Sequence, residues 1–311
     1  MALNHNVAPF ADACLRYANN NMARFSTPGH QADLTMFASQ DQVLGHHFME
    51  LDVPMNTDGV DYGDKPTPLD QALELAADAW GAHRTWFMSN GASQGNQLAC
   101  LTLANIGDTI VLQRSMHSSI IDGLAFTGMS AHYVMPSVDP DLGVPNGITP
   151  TQLDAALTET KAAGKNIAAA FVVSPSYFGA VADIKGLADV AHKHGVPLAV
   201  DEAWGAHFGF HDQLPLNSIR LGADIVINST HKLAGSLSQT AMFHLGKGTF
   251  AEMLEPLVER SLRSIQSTSV NSHFLISLDL TRKGLMTQGP ELIPGSVAAM
   301  QELRTGLNER F

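Results

Sequence analysis

Four short motifs contain side chains that could do chemistry, and each follows an apolar run. Ser93 lies in NGASQGN, where a glycine turn leads into a helical pattern whose first backbone N–H groups suit a phosphate. Asp201 ends the run PLAVD and could bind a cationic ring nitrogen through a charge-assisted hydrogen bond. Lys232 follows ADIVIN, and a partly desolvated lysine has a lowered pKa and can form a Schiff base. His117 follows TIVLQ, where an imidazole could lie against one face of a ring.

Each motif also has an ordinary structural interpretation when it stands alone. A glycine turn often joins a strand to a helix, a strand-end aspartate often forms a turn or a cap, and most lysines are solvated surface charges. The combination is more specific, because pyridoxal phosphate needs an anchor for its phosphate, a carboxylate for its pyridinium nitrogen and an amine for its aldehyde. The four motifs together therefore predict a pyridoxal phosphate site.

The elements that must position these side chains alternate between short apolar runs and longer amphipathic segments from residue 66 onward. Apolar residues at helical spacing between positions 69 and 80 precede the first strand pattern. The predicted strands lie near residues 85–89, 108–113, 131–135, 167–173, 197–201, 224–228 and 241–245. The predicted helices lie near residues 92–105, 118–127, 150–163, 184–194 and 248–263. Thr149, directly before Pro150, is a candidate N-cap.

This alternation predicts an α/β fold with a mostly parallel seven-stranded sheet and helices on both faces. Ligands bind such sheets at the carboxyl ends of the strands, which is where all four motifs fall. Residues 66–250 are predicted to form one large cofactor-binding domain. Residues 1–65 are predicted to be an N-terminal arm with a long loop, and residues 251–311 a helical exit segment.

Composition disfavours several classes of protein. The 30 acidic residues outnumber the 18 basic ones, and a net charge of -12 disfavours binding to nucleic acid or to an anionic membrane. Two cysteines, Cys14 and Cys100, exclude a disulfide framework and indicate a reducing compartment. The sequence has neither a long apolar run nor a signal-peptide pattern, so we expect a cytoplasmic protein. The 14 histidines lack metal-ligand spacing, and we predict no metal site.

Seven motifs in order resemble the Orn/Lys/Arg decarboxylases, which are fold-type-I pyridoxal phosphate enzymes. The motifs are FSTPGH, NGASQGN, RSMHSS, VVSPSYFG, VDEAWGAHF, STHK and STSVNSHFLISLD. The resemblance implies a fold-type-I large domain in which Lys232 binds the cofactor aldehyde, Asp201 binds the pyridine nitrogen and His117 stacks on the ring. It also implies that further residues surround the phosphate or line the site: Ala92, Ser93, Gln94, Ser176, His207, Ser229 and His231.

The resemblance also bears on the assembly and on the extent of the chain. The segment QSTS at residues 266–269 is similar to a family stretch that approaches the cofactor of the partner subunit. A homodimer is therefore implied, with Thr268 contributed by the partner. Family members continue with a smaller C-terminal domain, whereas this sequence stops at Phe311, and we expect that domain to be absent. Trp204 and Ala92 stand where many relatives have His and Thr, which would change the pocket shape or the phosphate affinity.

The reaction implied by the resemblance is the decarboxylation of lysine, arginine or ornithine to a diamine or agmatine. Lys232 or His231 would return a proton to the α-carbon after carbon dioxide leaves. The cationic end of such a substrate needs a carboxylate, and the candidates are Asp58, Asp61, Asp64 and Glu202. A solvated loop is the simpler interpretation of the three aspartates.

Two other functions remain open from the sequence. An aminotransferase or an aldol-type lyase of the same fold needs the same phosphate anchor, aspartate and lysine. The combination of STHK with DEAWGAHF is closer to the decarboxylase pattern. The third hypothesis is a truncated homologue that binds the cofactor without turnover, because the expected loss of the C-terminal domain would leave the site less completely closed.

Overall fold

A computed structural model describes residues 3–20, 23–33, 38–105 and 107–310, apart from the side chains at 38, 39, 41 and 46. Phe311 and parts of the predicted N-terminal arm lie outside these ranges. The strands are β1 (Arg84–Met88), β2 (Thr109–Gln113), β3 (Ser130–Val134), β4 (Ile167–Val173), β5 (Leu198–Asp201), β6 (Ile225–Asn228) and β7 (Ala241–Leu245). The helices are α1 (Pro9–Ala18), α2 (Ala38–Leu44), α3 (His46–Glu50), α4 (Pro68–Trp80), α5 (Gly91–Leu103), α6 (Ser118–Thr127), α7 (Pro150–Ala162), α8 (Ile184–Lys193), α9 (Thr230–Leu233), α10 (Ala251–Ile265), α11 (Ser272–Thr287) and α12 (Gly289–Asn308).

The seven strands form one sheet in the order β1-β7-β6-β5-β4-β2-β3. The pairs β2·β3, β2·β4, β4·β5 and β5·β6 are parallel. β7 runs antiparallel to both of its neighbours, β1 and β6, so the other six strands all point in the same direction. The mostly parallel seven-stranded sheet predicted from the sequence is confirmed, and the carboxyl ends of six strands meet at one edge.

Successive residues of the central strands pack into two different cores, because side chains alternate across a strand. Leu198 and Val200 of β5 belong to a cluster that includes buried residues of α7 and α8. Ala199, between them, belongs to a second cluster with buried residues of α5, α6 and α10. Helices therefore cover both faces of the sheet, as buried parallel strands require.

The local signals in the sequence agree closely with the element boundaries. Every predicted strand lies within one residue of the observed strand at each end, and the helix boundaries differ by up to three residues. Thr149 is the N-cap of α7, because its Oγ1 accepts a hydrogen bond from the Gln152 backbone N at 3.2 Å. The Gln152 side chain accepts one in return from the Thr149 backbone N at 2.8 Å, which completes a capping box.

The N-terminal region contains a docked helix that the sequence interpretation as an arm and loop does not include. Phe10, Ala13 and Cys14 have helical spacing in α1, and they are buried in a third apolar cluster with residues of α4 and α11. α1 therefore packs as part of the folded core.

Candidate active site

A cavity of about 200 Å³ lies at the edge of the sheet where the carboxyl ends of β1, β2, β4, β5 and β6 meet. Each of these strands is followed by a segment that contributes to its wall. The cavity is lined by seven of the residues predicted from the sequence: Ala92, Ser93, His117, Asp201, Ser229, His231 and Lys232. Parallel strands bring these side chains together although the sequence separates them widely.

Asp201, the last residue of β5, is a buried carboxylate with a sparse set of partners. Its Oδ2 accepts a hydrogen bond from Asn96 Nδ2 at 2.8 Å, and its Oδ1 accepts one from the Ala203 backbone N at 3.1 Å. Burial raises the pKa of this carboxyl group, while the Asn96 and Ala203 hydrogen bonds and the charges of Lys232 and His117 act to lower it. Its ionised form is thus held by neutral donors and by more distant cationic groups.

Lys232 lies in α9, the short helix that follows β6, and its amine reaches the same cavity. Burial lowers the pKa of the ammonium group, and the carboxylate of Asp201 opposes that change. Nζ lies 4.5 Å from the centroid of the Trp204 ring, within the range of a cation–π contact. The structure therefore favours a larger neutral fraction of this amine than a surface lysine has, which suits a nucleophile.

His117 is the N-cap of α6, and its ring nitrogen Nδ1 accepts a hydrogen bond from the Ser119 backbone N at 3.2 Å. The Ser119 hydroxyl lies 2.8 Å from the same nitrogen. Because a backbone N–H can only donate, Nδ1 must be the acceptor, and in the neutral ring the hydrogen is on Nε2. The capping role thus sets both the position and the tautomer of this imidazole.

The start of α5 supplies donors for an anion. Its N-cap, Asn90, makes no side-chain capping bond, and the first-turn backbone N–H groups of a helix have no partner within the helix. Ala92 and Ser93 of this turn line the cavity. On the α9 side, His231 Nδ1 donates to the Thr240 carbonyl oxygen at 2.9 Å, which leaves Nε2 as the ring atom available to a ligand.

Two predicted residues support the walls of the cavity without lining it. Gln94 accepts a hydrogen bond from the Asn90 backbone N at 3.1 Å and donates to Gln266 Oε1 at 2.6 Å. It therefore ties the first turn of α5 to the end of α10. The Ser176 hydroxyl accepts hydrogen bonds from the backbone N atoms of Phe178 and Ala180, and so shapes the turn after β4.

Two other predicted residues lie in different cavities. His207 lines a cavity beside α12, where burial lowers the pKa of its ring and Nδ1 has no hydrogen-bond partner among the described residues. Thr268 lines a separate cavity with Asp52 and neighbouring residues. Neither side chain reaches the Lys232 cavity within this chain.

Sequence reasoning did not single out Asn96 or Tyr177, which both line the cavity. Asn96 follows Ser93 by three residues on α5 and so shares its face, which is a usable sequence signal. Tyr177 lies in the VVSPSYFG motif, half exposed at the wall, and burial together with the charge of Asp201 raises the pKa of its phenol. Trp204, considered only as a departure from the family, also lines the cavity.

The four candidate carboxylates for a cationic substrate end do not line the cavity. Asp61 accepts hydrogen bonds from the backbone N atoms of Asn56 and Thr57 at 2.8 Å, which is a turn-forming role. Glu202 is buried and accepts hydrogen bonds from Ser218 and Asn228. Within the described part of the chain, Asp201 is the single carboxylate in the cavity wall.

The described residues contain neither a metal-binding cluster nor a membrane-spanning helix. No group of three or more His, Cys, Asp or Glu side chains among those residues is arranged to hold a metal ion. No helix in the described part of the chain is both long enough and apolar enough to cross a membrane.

Comparison with known proteins identifies the family of the chain. A family model for the major domain of Orn/Lys/Arg decarboxylases matches residues 8–310. The chain belongs to this family.

An arginine decarboxylase of Bacillus subtilis (strain 168) is 33% identical over 308 residues, which cover 99% of this chain and 61% of that protein. The lysine decarboxylase LdcA of Pseudomonas aeruginosa is 23% identical, covering 91% of this chain and 40% of its own length. The chain thus spans about three fifths, or less, of the relatives it matches.

Solved structures show the same fold. The constitutive lysine decarboxylase of E. coli has a TM-score of 0.81 at 21% identity, covering 97% of this chain and 44% of that one. A serine palmitoyltransferase of Sphingomonas wittichii has a TM-score of 0.57 at 20% identity, over 85% of this chain and 59% of that one. The fold-type-I large domain implied by the sequence resemblance is therefore confirmed. Because both decarboxylase and palmitoyltransferase share it, the fold alone does not define the reaction.

Proposed function

We propose that this chain binds pyridoxal phosphate and decarboxylates a basic amino acid, lysine, arginine or ornithine. The observation that carries the proposal is the convergence of Lys232 and Asp201 in one cavity whose wall includes the first turn of α5. The family of the chain and its arginine and lysine decarboxylase relatives support the choice of reaction and substrate class.

The residues present fit the proposed cofactor. A cavity of roughly 150 Å³ can hold benzene, so this one of about 200 Å³ admits a small substituted aromatic ring. The wall provides an amine, a carboxylate and an open helix start, which match an aldehyde, a ring nitrogen and a phosphate.

When bound, pyridoxal phosphate supplies an aldehyde for amines and a ring that accepts the electron pair released as carbon dioxide leaves. Asp201 would accept a hydrogen bond from the ring nitrogen and favour its protonated form, because an ionised carboxylate stabilises a neighbouring cation. Ser93, Ser229 and His231, with the first turn of α5, would bind the phosphate. His117 would provide a flat wall for the ring.

Lys232 has two tasks in this proposal. Its neutral amine binds the aldehyde, and the burial that lowers its pKa increases the neutral fraction. When it is not bonded to the cofactor, Lys232 would still lie in the cavity and could hold or return a proton, as could His231. The aromatic rings of Trp204 and Tyr177 in the wall help to exclude water from this region.

We also propose a homodimer, with Thr268 of the partner subunit reaching this cavity. Thr268 lies outside the cavity of its own chain, so it can act there only across an interface. Analytical ultracentrifugation should therefore find a dimer rather than a monomer.

The cofactor assignment is tested by spectroscopy. Wild-type protein with pyridoxal phosphate should develop a visible absorbance band, and Lys232→Ala should lose it. Lys185→Ala is the matched control, because Lys185 is exposed and pairs with Asp189 on the surface. An unchanged band in Lys232→Ala, or loss of the band in the control, would contradict the role of Lys232.

The reaction is tested with a substrate panel. Release of carbon dioxide from lysine, arginine or ornithine, without a requirement for a keto acid, is the expected result. A requirement for a keto acid would indicate an aminotransferase instead. A folded, cofactor-bound protein that turns over none of the three substrates would favour the binding-only alternative.

A further inference from the structure

A chain of side-chain hydrogen bonds connects Asp201 to His117 behind the cavity wall. Asn96 Nδ2 donates to Asp201 Oδ2 at 2.8 Å and to Ser119 Oγ at 3.0 Å. Ser119 Oγ lies 2.8 Å from His117 Nδ1. We propose that Asn96 and Ser119 are positioning residues that fix the carboxylate and the imidazole relative to each other, so that both groups meet the same cofactor ring. This inference rests on the proposed pyridoxal phosphate site.

The orientation of the Asn96 amide follows from its partners. A carboxylate can only accept hydrogen bonds, so the amide must turn Nδ2 towards Asp201. The two hydrogens of Nδ2 then serve Asp201 and Ser119, and Asn96 is only 1% exposed. Its Oδ1 is buried and has no partner among the described residues, a cost that the two donated bonds must offset. Aspartate has no hydrogens to donate in its ionised form, so it cannot replace asparagine here.

Ser119 connects the fixed amide of Asn96 to the imidazole of His117. Its oxygen accepts from Asn96, which directs its own hydrogen towards His117 Nδ1. The Ser119 backbone N donates to the same nitrogen. Two donors at Nδ1 hold the ring in one orientation and place the ring hydrogen on Nε2. Without Asn96, the serine hydroxyl would be free to rotate away from the imidazole.

The network needs a close approach of three elements. Asn96 lies on α5, Ser119 in the first turn of α6, and Asp201 at the end of β5. Gly123 permits the approach of the two helices, because an added Cβ at this position would lie 2.7 Å from Cys100 Sγ and 2.8 Å from Cys100 Cβ. With the helices this close, the short asparagine amide reaches both partners directly.

The test compares Asn96→Ala and Ser119→Ala with Asn217→Ala. Asn217 is equally buried and donates to the Trp80 carbonyl oxygen, but it does not line the cavity. Three quantities are measured: the dissociation constant for pyridoxal phosphate by absorbance titration, the visible circular dichroism per bound cofactor, and the melting temperature. The dichroism reports whether the ring is held in one orientation, which a loss of general stability in a folded protein does not change.

Asn96→Ala should weaken pyridoxal phosphate binding about tenfold, which corresponds to one charge-assisted hydrogen bond. It should also reduce the visible dichroism of the protein that remains loaded. Ser119→Ala, which removes a single oxygen and is the safer variant for folding, should reduce the dichroism with a smaller loss of affinity. Asn217→Ala should lower only the melting temperature. The double variant should lose less than the sum of the single variants, because the two residues act in one chain of bonds.

The possible failures are distinguishable. If wild-type protein shows no visible band with pyridoxal phosphate, the proposed function is wrong and this inference is wrong with it. If the wild type binds normally but Ser119→Ala and Asn96→Ala keep its affinity and dichroism, only the positioning role is overturned. The same conclusion follows if Asn217→Ala loses affinity and dichroism to the same extent as Asn96→Ala.

Discussion

Asp201 and Asp279 are both buried carboxylates, but one lies in the cavity wall and the other between two helices. Asp201 is 2% exposed and Asp279 is fully buried, and burial raises the pKa of both groups. The two differ in what surrounds them. That difference separates a carboxylate that stabilises the fold from one that remains available to a ligand.

The charge of Asp279 in α11 is balanced by direct hydrogen-bond partners. Its Oδ1 accepts a hydrogen bond from Arg282 Nη2 at 2.6 Å, and Oδ2 accepts from the backbone N atoms of Phe10 and Ala11 in the first turn of α1. Arg282 also donates to backbone carbonyl oxygens just before α1, at His5 and Val7. This ion pair therefore fastens the N-terminal helix to α11, and its charges are matched locally.

Asp201 has no such ion pair with any residue that the structure describes. One amide and one backbone N–H are its direct donors, and the ammonium group of Lys232 acts at longer range. The carboxylate faces a cavity instead of a guanidinium group. A buried charge that lacks a direct cationic partner is costly for folding, and such groups are concentrated at functional sites.

The largest expected effect comes from Asp279→Asn. This change leaves Arg282 buried without its anion and places an amide among N–H donors, so unfolding free energy should fall by about 3–5 kcal/mol. Urea unfolding measures the loss, and Asp78→Asn on the surface is the control, with a change within about 0.5 kcal/mol. A loss below about 1 kcal/mol for Asp279→Asn would show that the ion pair does not fasten α1 as described.

Glu202 is a third buried carboxylate, and its hydrogen-bond donors, Ser218 and Asn228, are neutral. Burial raises its pKa from 4.5 to about 7, so between these values the folded protein binds more protons than the unfolded chain. Unfolding free energy should therefore decrease as pH rises from 4.5 to 7, by about 3 kcal/mol from this group.

Glu202→Gln should remove this contribution. Its amide can use Asn228 Oδ1, which has no partner among the described residues, after a rotation of the Asn228 side chain. Denaturant unfolding at pH 5 and pH 8 measures the difference for both proteins. Equal pH dependence in the variant and the wild type would show that Glu202 titrates normally in the folded protein.

The smallest expected effect on stability comes from Asp201→Asn. Because Asp201 has no direct cationic partner among the described residues, removing its charge leaves no buried cation unpaired, and the unfolding free energy should change by only about 1 kcal/mol or less. The same variant should lose most of its affinity for pyridoxal phosphate, measured by absorbance titration. A destabilisation as large as that of Asp279→Asn would mean that the two carboxylates play the same structural role.

Much of the fold and part of the site follow from local patterns. The strand boundaries, the capping box at Thr149 and the position of the motifs after strands are all readable from residue spacing. The sequence interpretation is less informative about which side chains of a motif face the cavity. Gln94 and Ser176 lie in the right motifs, but their hydrogen bonds are to neighbouring backbone and side-chain groups. The direction of a side chain depends on partners far away in sequence, such as Gln266 for Gln94.

Residue patterns along the chain are sufficient to predict the succession of strands and helices, and with it the placement of Lys232, Asp201 and His117 at one edge of a parallel sheet. Apolar periodicity and glycine turns are local properties of the sequence, so they can be recognised without any knowledge of tertiary contacts. The environment of each charge, in contrast, depends on tertiary packing. Asp201 and Asp279 are the same residue type with similar burial, and only the packing of α1 and α11 gives one of them a guanidinium partner. Desolvation and pairing depend on the whole surroundings of a group, which no local pattern contains.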